Sequence, residues 1–180
     1  SKSSEFDENN IVLSFSAMSD IHQQLGKTEY SEYLINALDY AEELNGGALD
    51  LALFAGDLTE STWTNQDDDY SATYNGDIAQ LKTTLESALD LNVTPVFYCL
   101  GNHDTDPSRL GPEYMIGMHS LFYIMLGEKF FEVDEDDSVP EAGLRHAVVN
   151  GYHFLAANPD TYSNLHGYSE DALAWVDEKL

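Results

Sequence analysis

Three short polar clusters hold the residues best suited to chemistry: Asp20-Ile21-His22, Gly56-Asp57 and Gly101-Asn102-His103-Asp104. Carboxylate and amide oxygens together with imidazole nitrogen form a donor set that suits divalent Mn, Fe and Zn. A carboxylate shared between two such ions permits the roughly 3.5 to 4 Å separation of a two-metal site. Asp57, on the middle cluster, is the natural bridge. Taken singly, an Asp after a strand is more often a cap or turn residue; here the same kind of cluster recurs three times in order. Gly56 and Gly101 add the freedom for the chain to turn sharply beside two of the clusters.

The flanking residues predict how these clusters are positioned. Ile11 to Met18 alternates at period two and is rich in strand formers, so it predicts a first strand. Leu49 to Ala55 and Val96 to Leu100 are short apolar runs of the kind buried in parallel sheets. Pro95 is confined to the start of its strand. Between these runs, apolar residues at helical spacing predict helices over Glu29 to Leu44, stopped by Asn45-Gly46-Gly47, and over Tyr74 to Asp90. Strand, helix, strand, helix, strand is a parallel α/β arrangement. All three clusters then sit at carboxyl ends of strands, where an open parallel sheet forms its ligand crevice.

Beyond Asp104 the pattern changes. Ile116 to Leu126 predicts a helix, the segment from Glu132 to Gly143 reads as an acidic loop, and Leu144 to Asn150 with Tyr152 to Ala157 predicts paired strands around Asn150-Gly151. Ser169 is placed to cap a last helix, with Leu173, Val176 and Leu180 along one face. The sequence stops on that apolar position, and a truncated chain is the expectation. Residues 1–10 read as a linker or the remnant of a processed start, and 11–180 as the N-terminal part of one domain.

Composition bounds the function. An apolar fraction of 43% in 180 residues is enough for a real core. A formal charge of −26 repels polyanions, so no nucleic-acid binding surface is expected. No apolar run is long enough to cross a bilayer. The single cysteine, Cys99, cannot form an internal disulfide and reads as a small core residue in a strand. The acidic balance suits a salt-adapted or exported protein; an extracytoplasmic place with the signal removed is the leaning, with a cytoplasmic one left open.

The motifs D-x-H, G-D-x-x-E and G-N-H-D, in this order and at strand-helix-strand separations, resemble the first three motifs of the calcineurin-like metallophosphoesterase superfamily. The resemblance covers Ile11 to about Asp104 well and the remainder loosely. It implies an α/β fold of the α/β/β/α sandwich type, here incomplete: the first sheet with its flanking helices and the opening strands of the second. It implies hydrolysis of phosphate mono- or diesters by a metal-activated water, with two divalent ions (Mn, Fe or Zn) as cofactors and a small phosphate ester as substrate. Carried over, Asp20 and His22 would ligate one ion, Asp57 would bridge both, and Asn102 would ligate the second. His103 would contact the phosphate or protonate the leaving group, and Asp104 would orient its ring.

The sequence departs from that pattern in its second half. The Gly-His and Gly-His-x-His motifs that bring further histidines are missing, and Gly151-Tyr152-His153 and His166-Gly167 are the nearest approaches. Those ligands are expected downstream of Leu180, which leaves weak or absent activity as the expectation for residues 1–180. A metal-binding module without turnover is the alternative reading. Arg109, shortly after Asp104, is a candidate substrate contact, while His119, His146, His153 and His166 lack an adjacent acid and read as structural. An unfinished second sheet leaves an edge that could pair with another copy, so self-association is also expected.

Overall fold

A computed structural model describes residues 11–60, 70–101, 103–104, 144–157 and 168–180, with the backbone alone for 70–75. Asn102, Arg109, His119, His166, the Ile116 to Leu126 helix and the acidic loop before Leu144 lie outside the described residues. The elements in order are β1 (Phe15–Met18), α1 (Thr28–Asn45), β2 (Leu51–Ala55), α2 (Tyr70–Ala88), β3 (Val96–Cys99), β4 (Leu144–Val149), β5 (Tyr152–Ala157) and α3 (Glu170–Lys179).

Strands β1, β2 and β3 form a parallel sheet in that order, with Phe15 opposite Leu51 and Ala52 opposite Val96. A parallel neighbour needs a crossover, and α1 and α2 supply the two. Both helices pack on the same face and against each other, as right-handed crossovers between sequential neighbours require. Strand periodicity then sorts the side chains: Ala52, Phe54, Val96 and Tyr98 meet Leu34, Leu38, Ile78 and Leu81 of the helices. Leu51 and Phe97 point the other way, where Ala147 and Ala156 of the β4–β5 hairpin cover them. The central strand β2 is thus buried on both faces, which is why it reads as a continuous apolar run.

The ends of the elements follow local chemistry. Gly46 adopts φ 74° after α1, and Gly46 and Gly47 donate to the Glu43 and Glu42 carbonyls, closing the helix as Asn45-Gly46-Gly47 predicts. Asn150 (φ 50°) and Gly151 (φ 80°) take the two left-handed positions of the hairpin turn. Ser169 caps α3, its hydroxyl accepting from the Ala172 amide.

Two expectations need correcting. The first strand begins at Phe15 rather than Ile11, because Asp50 ends the ladder: its carboxylate accepts from the Ser14 amide at 2.7 Å, in place of a strand partner. On α3 the buried residue is Ala172, whereas Leu173 and Leu180 are exposed. Among the described residues, no helix is long and apolar enough to cross a membrane.

Candidate metal centre

Parallel pairing brings the carboxyl ends of β1, β2 and β3 to one edge, and the chain stays paired after the strands stop. The Asp20 amide donates to the Gly56 carbonyl (3.1 Å), the His22 amide to Asp57 (3.0 Å) and the Gln23 amide to Leu58 (2.9 Å). The Glu60 amide then donates back to Gln23 (3.1 Å). Asp104 ties the third loop to the second. Its buried carboxylate accepts from the amides of Gly101 (2.9 Å), Leu58 (3.1 Å) and Thr59 (2.8 Å), and from the Thr59 hydroxyl (2.9 Å). Burial is the main reason that its pKa is pushed up to about 6, the hydrogen bonds from Gly101, Thr59 and Leu58 holding it lower than burial alone would.

The backbone at this edge is held in conformations that side-chain-bearing residues avoid. Asp20 (φ 56°), His22 (φ 50°) and Asp57 (φ 51°) all occupy the left-handed region, at a cost of order 1–3 kcal/mol each. Strain of this kind persists where surrounding structure over-determines it, and it gathers at functional sites. Two glycines make room. A β-carbon on Gly56, whose φ is 89°, would lie 3.0 Å from Gly101 Cα, and one on Gly101 would collide with the Asp57 carboxylate and amide.

Side chains converge accordingly. His22, Asp57 and His103 each offer a ligand atom, and the three lie within 4.8 Å of one another, all half-buried. Donors on one ion at about 2.0–2.2 Å stand up to roughly 4.4 Å apart, so the group is close to coordination spacing. Two imidazoles and a carboxylate, preset by strained backbone and a glycine gap that a β-carbon would fill, fit a divalent transition ion. The His103 amide donates to Asp57 Oδ1 at 2.9 Å, and the His22 and His103 rings meet edge to face with centroids 4.5 Å apart.

Asp20 stands at the rim, two-thirds exposed, with Oδ1 3.8 Å from His22 Nε2 and Oδ2 receiving the Ser19 hydroxyl. His103, which the resemblance places on the phosphate, lies within the ligand group itself. Glu60 is the residue to which sequence reasoning assigned no role. Its Oε2 is 2.5 Å from His22 Nδ1 and 3.6 Å from His103 Nδ1. The signal was the acid three residues after Asp57 in G-D-x-x-E.

Other polar residues serve elsewhere. Arg145 is fully buried, its guanidinium carbon 4.8 Å above the Tyr98 ring. His146 Nε2 and His153 Nδ1 pair at 2.8 Å on the hairpin. Cys99 packs in the core between sheet and hairpin, and its pKa is raised, first by burial and then by the Asp104 charge, which makes it a poor nucleophile.

A comparison with curated proteins gives no match. The family model for calcineurin-like phosphoesterases matches residues 13–178, nearly the whole sequence and all three strand-end motifs. The chain belongs to the calcineurin-like phosphoesterase family, whose members as a class use divalent metals to hydrolyse phosphate esters.

Proposed function

We propose that the chain hydrolyses phosphate mono- or diesters of small molecules at a dinuclear metal centre formed along the carboxyl edge of the parallel sheet. The observation that carries this reading is the convergence of His22, Asp57 and His103 on strained backbone at that edge. In this reading Asp20 and His22 hold one ion, Asp57 bridges, and Asn102 holds the second. Bound divalent ions would polarise the phosphoryl oxygens and acidify the attacking water.

The chain's own residues set up the histidines. Glu60 beside His22 Nδ1 favours the tautomer that carries its proton there, leaving Nε2 with its lone pair on the side where Asp20 Oδ1 stands. The same carboxylate near His103 Nδ1 holds that edge of the ring, which leaves Nε2 to meet the phosphate; with both ring nitrogens protonated, Nε2 gives its proton to the leaving oxygen and the ring is left neutral with its proton on Nδ1 beside Glu60. Asp104 acts one step back. By bracing the Gly101 turn against Leu58 and Thr59 it fixes where His103 and Asp57 stand, so it is a positioning residue.

Titration with Mn²⁺ followed by hydrolysis of p-nitrophenyl phosphate and its bis ester tests the proposal. Turnover, however weak, that requires the metal and disappears in Asp57→Asn is the expected result, and Mn²⁺ uptake with no turnover would favour the metal-binding module instead. Asparagine tolerates the left-handed backbone at position 57, so the variant is expected to fold with unchanged circular dichroism. Metal-independent turnover, or full turnover in the variant, would overturn the reading.

A further inference from the structure

Next to the ligand group lies a cavity of about 640 Å³, within the size range of small-molecule sites. One wall is a stripe of α1: Tyr30, Leu34 and Ala37 recur at helical spacing, and Tyr33 flanks them. Met18 and Ile21, on either side of the end of the first strand, also line the cavity. His22, Glu60, Asp20 and His103 form the side shared with the metal centre. The cavity is therefore continuous with the reacting position.

The lining states what it accepts. Four aliphatic or thioether side chains and two tyrosines give it apolar and aromatic surface, and tyrosine rings are suited to offset or edge contacts with another ring. Among the described residues no lysine or arginine lines it. Apart from the histidines on the metal side, the polar groups a second phosphate or a carboxylate would meet are Gln24, the tyrosine hydroxyls and the acidic Asp20 and Glu60, in a chain of net charge −26. Those two carboxylates stand with the histidines on the metal side, so at the α1 wall a cation would have only the two tyrosine rings to meet it, and the cationic compound in the test below measures that competing contact. Leu34 belongs to the core, whereas Tyr33 and Ala37 are exposed at the cavity. The small Ala37 leaves space that a larger side chain would occupy.

We propose that this cavity binds an uncharged aromatic group esterified to the phosphate, and that Tyr30, Tyr33 and Ala37 select for it. This deepens the hydrolase reading and rests on the same metal centre.

The test uses the full chain loaded with Mn²⁺ and three phosphonates that cannot be hydrolysed: (2-naphthyl)methylphosphonate, ethylphosphonate and 2-(trimethylammonio)ethylphosphonate. Calorimetry is expected to show the naphthyl compound binding about tenfold more tightly than the ethyl compound. Ala37→Trp, which fills the space, and Tyr33→Ala, which removes a ring, are each expected to reduce that ratio below about threefold while ethylphosphonate affinity stays unchanged. Both positions are exposed on a helix, and circular dichroism checks that the variants fold. Equal affinities in the unaltered protein, tightest binding of the cationic compound, no binding of any, or a ratio that survives Ala37→Trp would each overturn the proposal. Mn²⁺-dependent hydrolysis of p-nitrophenyl phosphate and its bis ester, measured alongside, tests the hydrolase reading separately: lack of turnover with the binding ratio intact would remove that reading and leave the pocket standing.

Discussion

Gly101 and Asp57 sit so close that a β-carbon on the glycine would overlap both the carboxylate and the amide nitrogen of the aspartate. The two residues end different strands, β3 and β2, so this contact sets how near the second and third loops approach. His103, two residues on, takes its distance to Asp57 from that contact, its amide donating to Asp57 Oδ1 at 2.9 Å.

Gly101→Ala is therefore expected to push the loops apart. Inserting a methyl group into packed surroundings costs about 1–3 kcal/mol, and here the obstacle is backbone as well as side chain. Denaturant unfolding should show a loss in that range. Calorimetric Mn²⁺ affinity should fall by more than the change in fraction folded accounts for, because the methyl group displaces the Asp57 carboxylate from its place beside His22. Wild-type affinity in a destabilised variant would show that the contact serves packing alone.

The strand-end clusters were legible before any coordinates because each joins an apolar run to a glycine or acid, and parallel topology alone brings such ends together. His22 and Asp57 needed nothing more. Glu60 was harder to see. It reaches His22 only because the chain stays paired past the strands, through Gln23 with Thr59, and that pairing leaves no periodic mark on residues 57–60. The start of β1 departs from the sequence pattern for a related reason: the alternation Ile11, Leu13, Phe15 continues upstream of the strand, but Asp50 takes the Ser14 amide and ends the ladder. The left-handed backbone at Asp20, His22 and Asp57 is only faintly written in residue type: aspartate and histidine are enriched in that region among side-chain-bearing residues, yet most of them lie elsewhere, and the fold selects these three.

Glu60→Gln tests the histidine bracing directly. The amide keeps the size of the side chain and loses the charge that orders two rings. Removing a carboxylate behind a metal-binding histidine typically costs about 10–100-fold in metal affinity or activity, and a loss of that size in Mn²⁺ binding is expected with the melting temperature almost unchanged. Binding within about twofold of the unaltered protein would assign Glu60 to the surface rather than to the site.

Salt should stabilise this chain. With 33 acidic residues against seven basic ones, the folded state concentrates like charges that the unfolded chain spreads out. The screening length shrinks from about 10 Å at 0.1 M to about 3 Å at 1 M, so the repulsion is progressively removed. Thermal unfolding in rising NaCl should give a midpoint that climbs by several degrees and then levels off. A flat or falling midpoint would mean that the carboxylates are already neutralised in pairs or by bound cations.

Asp104 gives a pH dependence of unusual sign for a carboxylate. Its pKa in the folded chain is about 6, above the ordinary value of 3.8, chiefly because burial penalises the charge. Between these values the folded state binds this proton more tightly than the unfolded state does. Stability from this group is thus fully present below about pH 4 and is lost as pH rises through 6. A shift of roughly two pH units corresponds to about 3 kcal/mol, an order of magnitude to compare with the slope. In metal-free protein, the unfolding free energy of the unaltered chain should fall across that window relative to Asp104→Asn, which has no proton to exchange there. The asparagine variant should also be less stable at pH 7, because its single amide oxygen cannot serve donors at Gly101, Leu58 and Thr59 together. Carbon NMR of the Asp104 carboxyl locates the midpoint independently, and a midpoint near 4 with parallel stability curves would show that the four hydrogen bonds outweigh burial.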